Sequence, residues 1–188
     1  MNSLEIINFY YPQDNDLRRL LVLHSRQVRD KALQILALPS NSALDIDRQL
    51  VCDGAMLHDI GIGRCNAPGI CCKGTEPYLL HGTIGAAMLR EYGASNGLDM
   101  EPYARICERH TGAGLTADDI IRQGLPLPPQ DLVPVSLEEQ LVCLADKFFS
   151  KSSPDREKPI ERVRASMLKF GDDTLARFNA LCDTFNIK

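Results

Sequence analysis

At 188 residues with a formal net charge of −4, the chain is long enough for one sizeable hydrophobic core and short for two. That charge supplies no basic field for nucleic acid or an anionic membrane, but leaves a small phosphorylated partner open, because only local charge matters there. Seven cysteines, an odd number at irregular spacing, argue against a disulfide framework and for a reducing, cytoplasmic setting.

Tryptophan is absent, aromatic residues make up 6%, and Leu, Ala, Ile and charged residues dominate, which favours helices packed on helices. The expectation is an all-α bundle over 1–188, with no signal peptide and no run long enough to span a membrane. Residues 1–12 read as a short helix or packed arm. Asp14, Asn15 and Asp16 offer caps for a helix from about Leu17 to Ala37, whose apolar stripe runs through Leu21, His24, Val28, Ala32 and Ile35. Asp45 or Asp47 caps the next helix, which puts His58 and Asp59 in its last turn, just before Gly61 and Gly63.

An irregular segment, 64–80, follows with Cys65, Cys71 and Cys72. It has no CxxC knuckle and reads as a loop packed beside a site rather than a zinc site. Arg64 and Lys73 in it are weighed as phosphate contacts against plain solvated charge. His81 opens a helix expected to stop at Gly93, and Asp99 caps another from Met100 to His110. A short helix from Thr116 to Gly124 and a four-proline stretch lead to Ser136-Leu137-Glu138-Glu139, a capping box that starts the helix carrying Asp146. Beyond Lys151, helices at about 159–170 and 172–181 contain no histidine and read as peripheral packing, with a homodimer contact as one use for them.

The four histidines, His24, His58, His81 and His110, each lie on or beside an apolar helical pattern, and Asp146 sits inside one. One such histidine is ordinarily a core residue bonded to a carbonyl. Four of them together with a buried aspartate need a cation, since an unpaired carboxylate in an apolar helix is costly. Lys147 is the ordinary counter-ion. Adjacent helical residues, however, point about 100° apart, which predicts that Lys147 misses Asp146 and reaches a ligand phosphate.

This ordered set, with His58-Asp59-Ile60-Gly61, His81-Gly82-Thr83, Arg109-His110-Thr111-Gly112 and Ala145-Asp146-Lys147, resembles the HD domain superfamily of metal-dependent phosphohydrolases. The resemblance covers about 17–152 and implies a helical bundle with its metal site in the core, leaving 153–188 peripheral. It implies that His24, His58, Asp59 and Asp146 hold one ion and that His81 and His110 hold a second, with Asp59 bridging. Nitrogen and carboxylate donors suit Fe, Mn, Co, Ni or Zn. The implied chemistry is hydrolysis of a phosphomonoester or phosphodiester, most naturally of a nucleotide, through a metal-activated water. Asp59 and Lys147 would be catalytic, with Arg109 and Lys151 as further substrate contacts. Related branches leave two alternatives: a mixed-valent di-iron oxygenase, and a non-catalytic nucleotide-sensing domain.

Overall fold

A computed structural model describes residues 2–154 and 156–188, and in it nine α-helices form one bundle. They are α1 Ser3–Tyr10, α2 Asp16–Leu36, α3 Arg48–Leu57, α4 His81–Asn96, α5 Glu101–Arg109, α6 Ala117–Gln123, α7 Leu137–Asp146, α8 Ile160–Leu168 and α9 Asp172–Thr184. No helix among the described residues is long and apolar enough to cross a membrane. The expected all-α bundle is what the chain adopts.

Local chemistry sets most helix starts. The Asn15 side chain accepts from the Arg18 amide at 3.0 Å to begin α2, and Asp47 rather than Asp45 begins α3 by accepting from the Gln49 and Leu50 amides. Thr116 and Asp119 form a reciprocal capping box for α6. At α7 the Ser136 hydroxyl accepts from the Glu139 amide, but the Glu139 carboxylate reaches back to the Val135 amide at 2.8 Å, one residue short of a full box.

Two expectations change. Helix α4 runs through Gly93 to Asn96 and stops at Gly97, which takes φ of +66°. Gly93 serves packing instead: a Cβ there would stand 2.6 Å from the Leu98 carbonyl oxygen and 2.9 Å from Met100. The C-terminal helices are also not peripheral. Phe178, Phe185 and Val163 are buried in the same apolar cluster as Val28, Val51, Leu141 and Leu144. An amphipathic helix shows its apolar face in sequence but not which layer that face joins.

A second cluster gathers Ile6, Ile7, Leu21, Leu57, Ile60 and Leu89. Along α2 the stripe passes from this cluster at Leu21 to the other at Val28, and along α3 from one at Ala55 to the other at Leu57. His24 and His58 fall where the two meet. Segment 66–73 is a two-residue antiparallel ribbon, Asn66–Ala67 (β1) paired with Cys72–Lys73 (β2), joined by a turn in which Cys71 takes φ of 63°.

Candidate metal centre

His58 caps the C-terminal end of α3, and its Nδ1 lies 2.7 Å from the carbonyl oxygen of Ala55. His81 opens α4 with Nδ1 2.7 Å from the Tyr78 oxygen, and His110 closes α5 with Nδ1 2.7 Å from the Cys107 oxygen. A carbonyl can only accept, so each Nδ1 carries the hydrogen, and the neutral ring's lone pair is left on Nε2. Three imidazoles are thus locked, each by the carbonyl three residues back, with a ligand atom facing inward.

The close approach of the elements comes from glycine. A Cβ on Gly61 would overlap the His81 carbonyl oxygen and the Gly85 amide nitrogen, so the turn after Asp59 can lie directly on the start of α4. Tyr11 fastens the same turn: its hydroxyl donates to the Ile60 oxygen at 2.6 Å and accepts from the Gly63 amide at 3.0 Å.

Asp59 stands at the middle and is fully buried. Its Oδ2 is 3.1 Å from His58 Nε2 and 3.3 Å from His24 Nε2, while its Oδ1 is 3.4 Å from His81 Nε2 and 3.5 Å from His110 Nε2. His24, in the middle of α2, also places Nε2 2.9 Å from Asp146 Oδ1. Despite these distances, Asp59 Oδ1 and His58 Nε2 lack a properly oriented hydrogen-bond partner, and Asp59 Oδ2 has the Lys151 ammonium beside it at 2.6 Å. His81 Nε2 and His110 Nε2 face each other at 3.0 Å, two lone pairs with no hydrogen between them. Buried polar atoms of this kind need a partner, and a cation placed between them supplies one. His24, His58 and Asp146 form one set of donors within 4.8 Å of one another, and His58, Asp59 and His110 form another. The donor set therefore fits a divalent transition metal.

The electrostatics follow from this packing. Burial works against ionising Asp59, yet His58 and Lys151 outweigh it and hold the carboxyl well below its usual range. Burial likewise opposes the charged form of Asp146, and Lys147 and His24 overcome it. Burial disfavours charge on His58 as well, but with no cation beside them Asp59 and Asp146 lift it to about 9, so a metal taking the Nε2 lone pair would have to displace a proton there. For His81 burial wins, helped by His110, and its pKa falls to about 3.

The six expected ligands are brought together. The expected substrate contacts fare differently. Lys147 does not miss Asp146: its Nζ lies 2.7 Å from Asp146 Oδ2 and donates to the His110 oxygen at 2.8 Å. The angular argument fixes the Cβ direction of a helical residue, whereas α7 ends at Asp146 and a four-carbon side chain folds back from the cap position. Lys151 Nζ lies 2.6 Å from Asp59 Oδ2, deep in the centre. Arg109 is turned away to Glu139 at 3.0 Å, and Arg64, just before the ribbon, and Lys73, in its second strand, are both exposed. None of these three is among the described residues lining the cavity of about 290 Å³ that opens over Asp146, Lys147 and Lys151. Cys65, Cys71 and Cys72 belong to neither donor set. Sequence reasoning missed Tyr78, whose ring stacks on His81 at 4.6 Å and 14° and walls that cavity. Its position three residues before His81 was the available signal.

The chain belongs to the HD domain family, whose sequence model matches residues 21–150. Among its relatives, an uncharacterized protein of Methanocaldococcus jannaschii is 38% identical over 69% of this chain and 66% of its own length. A protein named tRNA (cytidine(56)-2′-O)-methyltransferase from Picrophilus torridus is 31% identical over 80% of this chain and 40% of its own. Its namesake from Thermoplasma volcanium is 29% identical over 87% and 42%. The chain thus spans about two-fifths of the length of these methyltransferases and just under two-thirds of the Methanocaldococcus protein.

Proposed function

We propose that the chain is a cytoplasmic phosphohydrolase that holds two divalent transition-metal ions and cleaves a phosphate ester of a nucleotide or similar small metabolite. The observation that carries this reading is the division of Asp59: one oxygen faces His24 and His58, the other His81 and His110. With Asp146 beside the first pair, these side chains would hold two cations, and Asp59 would serve both sets. Bound there, such ions supply a nucleophile from water near neutral pH and draw charge from phosphoryl oxygens.

The protein's own groups do the rest. The Nδ1–H bonds of His58, His81 and His110 keep three donors oriented, which lowers the cost of ordering them around substrate. Lys147 and Lys151 put two ammonium groups at the cavity floor, where the oxygens of an arriving phosphate gain from them. Tyr78, Ile70, Phe149 and Met167 wall the cavity, and their apolar surfaces lower the local dielectric beside those charges. Two relatives named as tRNA methyltransferases favour nucleotide chemistry over an unrelated metabolite.

Metal analysis of the full chain purified without added ions should find a first-row metal, and a phosphate-ester screen should give turnover that chelation abolishes. Turnover by Mn- or Co-loaded protein without O₂ consumption separates this reading from an oxygenase. Undiminished turnover in Asp59→Ala would overturn it.

A further inference from the structure

A groove of about 730 Å³ lies outside the metal-centre cavity and shares Ser150, Ser152 and Lys158 with it. Helix α8 lines both: Arg162 borders the outer groove, and Val163, Ser166 and Met167 border the inner cavity. Arg162 and Ser166 are one turn apart on the same face, so a ligand leaving the inner cavity along α8 meets Arg162 next.

The two spaces differ in chemistry. Beyond its ionic floor, the inner cavity offers Tyr78, Ile70, Phe149 and Met167, a wall for a planar apolar group. Among the described residues, the outer groove has no aromatic lining residue and presents serine hydroxyls, Arg156 and Arg162. Among the described residues along it, the acidic one, Glu157, is bound to Lys31. Lys158 is engaged in building the groove: its Nζ donates to the Lys147 oxygen at 3.1 Å and the Phe149 oxygen at 2.8 Å, which fixes the turn that carries Lys147 and Lys151. Arg156 and Arg162, both exposed, make no ion pair among the described residues and can meet a ligand. Planar guanidinium groups beside hydroxyls are well suited to a phosphate, which each arginine can grip with two hydrogen bonds.

We propose that this groove binds a second phosphate of the substrate. The preferred ligand then carries an anion over the metal centre, a planar apolar middle, and another anion at Arg156 and Arg162, the layout of a nucleoside bisphosphate. The choice of which phosphate is cleaved rests on the phosphohydrolase reading; the second anion site does not. All the described lining residues of the outer groove except Ser150, and half of those of the inner cavity, lie beyond the family match at 21–150, so this preference belongs to the part of the chain outside the shared domain.

Two phosphonates that resist hydrolysis test it on the intact, metal-containing chain. Benzylphosphonate has one anion on a planar ring; p-xylylenediphosphonate has a second across the same ring. Isothermal titration should show the diphosphonate binding about tenfold tighter. The double variant Arg156→Gln, Arg162→Gln, in which both exposed changes leave the core untouched, should bring the two affinities to within about twofold, as loss of two charge-assisted contacts requires. Equal affinities in the unaltered chain overturn the proposal, as does a preference that survives the double variant. A preference that holds in a protein with no phosphatase activity would sink the hydrolase reading alone. Phosphatase activity without the preference would sink the groove alone.

Discussion

At the floor of the centre, three imidazoles are fixed by hydrogen bonds to their own helix ends, from Nδ1 to the carbonyl three residues earlier. Where the centre meets the cavity above it, and so at the mouth of the one and the floor of the other, Lys147 and Lys158 hang on long side chains fixed by contacts distant in sequence, to the His110 and Phe149 carbonyls, while Lys151 reaches inward from there to Asp59. Short-range locking makes the floor rigid and insensitive to neighbouring loops. Long-range holding makes the mouth adjustable, because each contact depends on where another element has packed. A family can therefore keep one reactive centre and vary what enters it by changing the elements around the rim.

Breaking the floor should have the largest effect. Asp59→Ala removes the carboxylate shared by both donor sets, and bound metal should fall below about a tenth of its original content, with activity down by about 10²-fold or more. Elemental analysis and turnover on the best ester check this together, and retained metal would show that Asp59 is not shared. His81→Ala is a milder break. It removes a donor from one side of Asp59 only, so metal content should drop from about two ions per chain to about one, with the first set intact. Unchanged stoichiometry would mean that His81 is a cavity wall rather than a ligand.

How much of this could be read from residues alone divides along the same line. His58 before two glycines, His81 at a helix start and His110 at a helix end are local patterns, and local patterns fix where an imidazole points. Asp146 was legible because a carboxylate in an apolar stripe has few affordable surroundings. Arg109 and Lys147 were misjudged because the sequence does not say which distant carboxylate or carbonyl a long side chain will find. Arg109 found Glu139, and Lys147 found both Asp146 and the His110 carbonyl. Helices α8 and α9 showed amphipathic faces without showing that Val163 and Phe178 would close the core beside α7.

Gly61 tests whether the floor depends on close backbone contact rather than on its ligands alone. A methyl group there would collide with the His81 carbonyl and the Gly85 amide, and neither backbone atom can move without shifting α4. Gly61→Ala should cost about 3 kcal/mol, in the range of overpacked cores, as read from urea unfolding. Metal should also bind more weakly, since α4 carries His81. Gly69→Ala is the matched control: nothing lies within 4 Å of a Cβ at that position, so its stability should hardly change. Similar losses in the two variants would mean that the turn is not held by that contact.

The smallest effect concerns a thiol beneath the floor. Cys143 is fully buried in α7, and its Sγ lies 3.5 Å from the His110 oxygen, to which it donates. Burial raises its pKa to about 11, with Lys147 opposing. An unfolded thiol loses its proton near 8.5. Between those values the folded chain binds a proton that the unfolded chain has released, so stability must decline as pH rises. The contribution is complete below about pH 8.5 and gone above about pH 11, and about 3 kcal/mol is lost across that window. Lysines and tyrosines titrate in the same range, so the informative quantity is a difference: unfolding free energies of the unaltered chain and of Cys143→Ala at pH 8, 9, 10 and 11. The variant should start less stable, because it loses packing around the sulfur, yet fall less steeply with pH. Parallel curves would mean that the thiolate is tolerated in place, and the carbonyl of His110 would then have to be satisfied by Lys147 alone.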